Sequence, residues 1–132
     1  MKTRNYLLAL LFISCHHGNA QVKQSESDSL LIGTWKGTSI CQDKNSPCHD
    51  EVVVYHISKG RAPTQYYITA NKIVNGAEEE MGILDFSFDK QTNQLVSTSY
   101  NSLWTFKLAG GKLDGTLMAR GELYRIISVS KK

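Results

Sequence analysis

Residues 103–119 read Leu-Trp-Thr-Phe-Lys-Leu-Ala-Gly-Gly-Lys-Leu-Asp-Gly-Thr-Leu-Met-Ala, and this stretch decides the fold class. Before Gly110-Gly111, the apolar residues Trp104, Phe106 and Leu108 occupy every second position, and the alternation resumes after the glycines. A period of two is typical of a strand with one covered face. Because the glycine turn is too short for a crossover, the two strands have to pair antiparallel. The stretch therefore predicts a β-hairpin.

The same pattern continues along the chain from Leu31. The turn signals include Asn75-Gly76, residues 89–93 and Arg120-Gly121. Eight segments are predicted as strands: 32–41, 51–58, 65–74, 79–89, 94–100, 103–109, 112–119 and 122–130. An open sheet of this size would expose its apolar face and two edges, and closure removes both problems. We therefore predict an all-β fold, a single antiparallel up-and-down eight-stranded barrel over residues 31–132.

Strand alternation also assigns side chains to the barrel interior. Val53, Tyr55 and Ile57 form the more apolar face of their strand, which places His56 outside. Tyr66 and Tyr67 lie on opposite faces, and the pattern leaves open which one is inside. An eight-stranded barrel has room for packed side chains or for one small ligand. The predicted interior aromatic residues, which could line a pocket or fill a solid core, are Phe86, Phe88, Trp104 and Phe106. Trp35 is a further candidate for ligand contact.

The first residues are typical of an export signal. Lys2 and Arg4 precede an apolar run over residues 6–13 that is too short to span a bilayer. Cleavage after Ala20 would define a signal peptide of residues 1–20. Alternatively, residues 11–15 resemble a lipobox, which would give a leader of residues 1–14 and an acylated Cys15. Residues 21–30 are polar and are predicted to be a flexible N-terminal segment.

Charge excludes one class of partner. The chain has 15 Lys and Arg residues against 12 Asp and Glu, but Lys2 and Arg4 belong to the leader, so the mature balance is 13 against 12. The remaining basic residues form no cluster with interleaved aromatic residues. We therefore expect no nucleic-acid binding, and membrane association only through a lipid on Cys15.

Two cysteines remain in the mature chain, Cys41 and Cys48. An even pair in an exported domain is typical of a disulfide. His49, Asp50 and Glu51 follow at once, which raises the alternative of a metal site. The cysteine spacing is not that of a structural zinc site, and no second His/Cys pair is near. The disulfide is therefore predicted and no metal is expected.

The first strand carries a family resemblance. Gly33-Thr34-Trp35 is a Gly-x-Trp pattern that opens an eight-strand meander, and in this it resembles the calycin superfamily of lipocalins, fatty-acid-binding proteins and avidins, in particular small bacterial lipocalin-like envelope proteins. The resemblance implies that an Arg of the last strand packs over the Trp and closes the barrel. Arg125 is the matching residue, so Gly33, Trp35 and Arg125 are expected to have this structural role.

The chain also departs from lipocalins. The domain is shorter, and the last strand is followed only by Lys131-Lys132, so a ligand identity does not carry over. The resemblance places the loop of residues 41–50 over the open mouth of the barrel. A disulfide in that loop would make it a stiff lid, or would simply stabilise a small fold.

No catalytic motif is present. The sequence contains no nucleophile elbow, phosphate-binding loop, metalloprotease helix or dinucleotide fingerprint. His49 and His56 have no recognisable nucleophile beside them, so no catalytic residue is assigned. We expect a protein that is not an enzyme and has no cofactor.

The leading hypothesis is an exported, non-enzymatic protein that binds a small apolar or amphipathic ligand in the barrel. It would lie in the periplasm, on the outer membrane as a lipoprotein, or outside the cell. One alternative is a protein-interaction module, such as an inhibitor of secreted proteases that acts through an N-terminal arm of residues 21–29. Another is a structural envelope lipoprotein that binds nothing. Val52, Val54 and Ile83 are apolar at outward positions, and the oligomeric state stays open.

Overall fold

The structure is a computed structural model, and it describes Gly18 and residues 25–132. The predicted export signal, apart from Gly18, lies outside the described residues, as does Cys15. Within the described residues, one α-helix and one short 3-10 helix accompany eight strands. The elements are α1 (Glu26–Leu31), β1 (Gly33–Cys41), β2 (Glu51–Lys59), β3 (Gln65–Val74), β4 (Ala77–Asp89), β5 (Gln94–Ser97), the 3-10 helix Ser99–Asn101, β6 (Ser102–Ala109), β7 (Lys112–Ala119) and β8 (Glu122–Lys131).

The strands form a closed antiparallel barrel in up-and-down order. Each strand pairs with the next along the chain, and β1 pairs with β8, where Trp35 lies opposite Lys131 and Cys41 opposite Arg125. This confirms the predicted fold class and is consistent with a lipocalin-like architecture. The strand boundaries agree with the predicted ones to within three residues.

The hairpin turns form where the sequence predicts them. Asn75 and Gly76 have φ of 50° and 81°, and Arg120 and Gly121 have φ of 53° and 76°. Two consecutive positive φ values twist a two-residue turn in the sense that antiparallel strands need. Glycine or asparagine supplies at least one of the two residues at low cost.

The barrel has two different ends. The helix end holds α1, the start of β1 and the end of β8. The disulfide end holds the loop of residues 42–50, which joins β1 and β2. The turns at Asn75-Gly76 and Arg120-Gly121 lie at the disulfide end as well.

Alternation predicts the core well. Val53, Tyr55 and Ile57 are buried, and Tyr66 rather than Tyr67 is inside. Val54, expected outside, is also only 6% exposed; it lies between Lys36 of β1 and Asn71 of β3. The inward residues of β4, β6 and β7 complete the core, namely Leu84, Phe86, Phe88, Phe106, Leu108, Leu113 and Leu117.

The inward face of β8 is predicted only in part. Arg125, Ile127 and Val129 are buried as expected, but Leu123 is 40% exposed. The register explains the error, because Leu117 lies opposite Arg125 whereas Met118 lies opposite Leu123. One extra residue in β8 forms a β-bulge, and a bulge reverses the alternation beyond it.

The polar composition of residues 21–30 predicts a flexible segment, whereas Glu26–Leu31 form the helix α1. Ser25 caps the helix: its hydroxyl accepts a hydrogen bond from the Asp28 amide at 3.1 Å, and the Asp28 carboxylate accepts one from the Ser25 amide at 3.3 Å. This reciprocal pair is a capping box. Ser27 and Leu31 are buried, so α1 packs on the barrel.

Candidate functional site at the disulfide end

The aromatic residues predicted as pocket lining lie mainly in a packed core. Trp35, Phe86 and Phe106 are at most 1% exposed. The ring centroids of Phe86 and Phe106 are 5.8 Å apart, and Tyr55 packs edge-on against Phe106 at 6.1 Å. Such distances are those of interacting aromatic pairs. The middle of the barrel is therefore filled by side chains.

Phe88 and Trp104 have other surroundings. Phe88 lies near the helix end, edge-on to Tyr66 with ring centroids 6.3 Å apart. It lines a pocket of about 290 Å³ beside the start of α1. Trp104, opposite Ser97 and Leu117, is only partly buried and packs against the edge of the core.

A larger pocket lies at the disulfide end, between the loop of residues 42–50 and the β7–β8 turn. We call it the mouth pocket. It has a volume of about 500 Å³, within the range of small-molecule sites. Its lining mixes charged, hydroxyl and apolar groups, contributed by Asp43, Ser46, Ala119, Arg120, Glu122, Leu123 and Tyr124.

The β8 bulge builds one wall of the mouth pocket. It turns Leu123 away from the core, and Leu123 and Tyr124 become the apolar part of the lining. The guanidinium carbon of Arg125 lies 5.4 Å from the centre of the Tyr124 ring. A cation at this distance is attracted to the face of the aromatic ring, and this cation–π contact helps to hold Tyr124 in place.

The disulfide loop builds the opposite wall. Cys41 and Cys48 form the predicted disulfide, with Cα atoms 6.0 Å apart. The Asp50 carboxylate accepts a hydrogen bond from the Cys41 amide at 2.9 Å, and the Asp43 carboxylate accepts one from the Asn45 amide at 3.0 Å. A covalent bridge and internal hydrogen bonds leave this wall few conformations, which lowers the entropy lost on binding.

Arg125 lies beneath this loop, so the predicted packing of Arg125 over Trp35 is wrong. Its Nη1 donates hydrogen bonds to the Ser39 carbonyl at 3.3 Å, the Ser39 hydroxyl at 3.2 Å and the His49 carbonyl at 3.0 Å. Glu51 Oε2 is 3.6 Å away. The register places Arg125 opposite Cys41, at the other end of β1 from Trp35. Arg125 therefore fastens the disulfide loop to the barrel.

Glu51 and Arg125 also affect the pKa of the buried residue Tyr55. Burial raises the pKa of Tyr55 well above its ordinary value, the charge of Glu51 raises it further, and the charge of Arg125 opposes them. Tyr55 consequently stays protonated and acts as a core side chain, not as an acid or base.

Trp35 is covered by a different cation. Lys131 Nζ lies 5.9 Å from the centre of the Trp35 ring and donates hydrogen bonds to the carbonyls of Ser29 at 2.8 Å and Leu30 at 3.2 Å. Glycine is favoured at position 33 because its φ of +142° is a backbone conformation that other residues rarely adopt. Lys131 thus lies over Trp35 in the place that the family resemblance assigns to Arg125.

Polar contacts fix α1 over the helix end. The Tyr66 hydroxyl donates a hydrogen bond to the Asp28 carboxylate, and Lys59 Nζ is 3.2 Å from the same oxygen. The bond from Tyr66, helped by Lys59, lowers the pKa of Asp28 to about 2. Burial and the Asp28 contact raise the pKa of Tyr66 to about 12. The part of the proposed inhibitory arm that is described, residues 25–29, is therefore held against the barrel.

Three further observations bear on function. Within the described part of the chain, no group of three or more His, Cys, Asp and Glu side chains could hold a metal ion. None of the helices formed by the described residues is long and apolar enough to cross a membrane. Comparison with protein-family models and with curated proteins finds no match for this chain.

Proposed function

We propose that this chain is an exported, non-enzymatic binding protein of the calycin type, from the bacterial envelope, and that it holds a small amphipathic ligand in the mouth pocket. The observation that carries the proposal is the division of the barrel into a filled middle and a formed pocket at the disulfide end. Trp35, Phe86 and Phe106 occupy the interior, whereas the pocket of about 500 Å³ lies between the loop and the β7–β8 turn.

The chemistry of the pocket suggests the ligand class. Leu123 and Tyr124 offer an apolar contact, and Arg120, Asp43 and Glu122 place both charge signs around it. A ligand with a short apolar part and a polar group that carries both signs would satisfy all of these side chains.

The rigidity of the pocket supports a binding role. One wall is closed by the Cys41–Cys48 disulfide and fastened by Arg125. The other wall is a strand of the barrel itself. A site whose walls are already ordered loses little entropy when a ligand binds. The disulfide also fits an oxidising compartment, which supports export to the periplasm, to the outer membrane as a lipoprotein, or to the medium.

The test uses dodecylphosphocholine below its micellar concentration as a zwitterionic amphiphile, with native mass spectrometry as the readout. We expect a one-to-one complex that Leu123→Asp weakens at least tenfold. Ile126→Asp is the matched control, since Ile126 is equally exposed on β8, 45% against 40%, but does not line the pocket. Equal affinities for the two variants, or no complex with any zwitterionic, anionic or neutral amphiphile, would contradict the proposal.

A further inference from the structure

Strand β4 has a free edge. It pairs with β3 from Ala77 to Ser87, with a bulge that leaves Met81 without a partner, but with β5 only through Ser87, Phe88 and Asp89. Over residues 77–86, no other strand of the described chain pairs with its second side. A row of unpaired backbone groups is a template for another strand.

The early end of β5 creates this edge. The sequence predicts a strand over residues 94–100, but β5 ends at Ser97. Tyr100 and Asn101 both have φ of 57°, so the chain turns into the 3-10 helix instead of continuing along β4. Residues with left-handed backbone conformations do not extend a strand. Residues 77–86 of β4 consequently have no partner strand of the described chain on the β5 side.

A hydrogen bond near the C-terminal end of β4 shows which of its backbone N–H and C=O groups point away from β3. The Phe88 amide donates to the Thr64 carbonyl at 2.8 Å, which lies on the β3 side. Since backbone groups alternate sides along an antiparallel strand, those of Phe86 and Leu84 also point to β3. Those of Asp85 and Ile83 therefore point to the free side.

A pocket marks the place where β4 and β5 separate. It has a volume of about 460 Å³ and is lined by Asp85, Ser87, Val96, Ser97, Thr98 and Ser99. An added strand would begin where β4 and β5 separate and would run along β4 toward Ala77. The position it would occupy is the one that β5 vacates after Ser97.

The side chains along the edge are acidic and apolar. Glu78 is hydrogen-bonded to His56 at 2.7 Å, and Glu79 is 4.0 Å from Lys72. Glu80 and Asp85 make no ion pair within 4 Å in the described part of the chain. Beside them, Met81 and Ile83 are 43% and 55% exposed. The edge thus presents uncompensated negative charge next to apolar surface.

This charge pattern argues against pairing with a second copy. Two antiparallel β4 edges centred on Gly82 would bring Glu80 and Glu79 of one copy near Leu84 and Asp85 of the other. Like charges facing each other across strands are destabilising. A strand that carries lysine or arginine would be attracted by the same residues.

We propose that the free edge of β4, over residues 77–86, binds an extended basic segment of another protein as an added antiparallel or parallel strand. Main-chain hydrogen bonds from Ile83 and Asp85 give the affinity, and Glu80 and Asp85 select positive side chains. This is the β-augmentation mode of peptide recognition. The site is separate from the mouth pocket, and neither proposal depends on the other.

The test uses an acetylated and amidated decapeptide of alternating Lys and Val, titrated into the purified full-length protein. Binding is followed by amide nuclear magnetic resonance with hydrogen exchange. In the free protein, the amides of Ile83 and Asp85 should exchange much faster than those of Leu84 and Phe86. The peptide should slow their exchange at least tenfold. A peptide in which Glu replaces Lys should bind at least tenfold more weakly.

Two protein variants make the result specific. Glu80→Lys removes a negative charge that makes no described ion pair, and it should weaken binding of the Lys-Val peptide at least fivefold. Glu122→Lys, a charge reversal at the mouth pocket, is the matched control. It should leave the affinity for the Lys-Val peptide unchanged. The proposal is overturned if the two peptides bind equally, if protection appears on other strands only, or if Ile83 and Asp85 are already protected in a dimer of the free protein.

Discussion

The indole Nε1 of Trp35 donates a hydrogen bond of 2.9 Å to the main-chain carbonyl of Leu31, and both residues are fully buried. This bond joins the first strand of the barrel to α1, which lies over the helix end. The closed end of the barrel is therefore built by the chain that immediately precedes β1.

Replacing Trp35 tests this closure. Trp35→Phe removes the donor and leaves the buried carbonyl of Leu31 without a partner, which should lower the free energy of unfolding by about 1–3 kcal/mol. Urea unfolding measures the change. Trp104→Phe is the control, since Trp104 is only partly buried and its indole nitrogen makes no hydrogen bond to another described residue; its effect should be smaller. A larger loss for Trp104→Phe would contradict this assignment.

Acid should weaken the docking of α1. The folded-state pKa of Asp28 is about 2, below the ordinary value of 3.8. A lowered carboxyl pKa contributes stability above the ordinary pKa, and the contribution is lost as the pH falls from about 4 toward about 2. Urea unfolding of the wild type and of Asp28→Asn should show a stability difference at pH 7 that shrinks through this range. A difference independent of pH would count against the role of Asp28.

Removing the Arg125 guanidinium should loosen the disulfide loop. Arg125→Met leaves the Ser39 and His49 carbonyls without this donor, and the expected loss of stability is about 2 kcal/mol. The amides of residues 42–50 should exchange faster. Arg125→Lys should recover part of the stability through Glu51. Arg120→Met, at the exposed turn, is the control and should leave the loop amides unchanged.

The disulfide should stabilise the domain without determining its fold. Its cysteines are 7 residues apart in sequence, and closing so short a loop contributes roughly 2.5 kcal/mol in the chain-entropy model. The Cys41→Ala and Cys48→Ala double variant should therefore keep a strand-rich far-ultraviolet spectrum. Its denaturant midpoint should be lower, and its affinity for dodecylphosphocholine should fall. A spectrum without strand signal would show that the bridge is required for folding.

Local pattern was sufficient to predict the barrel. Leu84, Phe86 and Phe88 show their inward face by alternation alone, and Asn75-Gly76 forms the turn that its residue types predict. These features depend on neighbours in the sequence. The cation over Trp35 depends instead on the pairing of β1 with β8, which are distant in sequence. For that reason the family resemblance points to Arg125, whereas the register places Lys131 opposite Trp35.

The candidate site was harder to predict because it depends on irregularities. A bulge in β8 exposes Leu123. The alternation of residue types along the sequence does not reveal the one extra residue that forms this bulge. The end of β5 follows from left-handed backbone at Tyr100 and Asn101. One missed feature did leave a signal: Ser25-Glu26-Ser27-Asp28 before Leu30-Leu31 is a capping-box pattern, which predicts a helix start.

The location of the ligand is the point on which the functional account depends. A titration with dodecylphosphocholine, followed through the amide and indole resonances of the whole protein, tests it most directly. We expect the shifts to centre on Asp43, Ser46, Arg120, Leu123 and Tyr124, which line the mouth pocket. The Trp35 indole and the Phe86 and Phe106 amides should stay unchanged. Shifts centred on those interior groups would place the ligand inside the barrel and contradict the account.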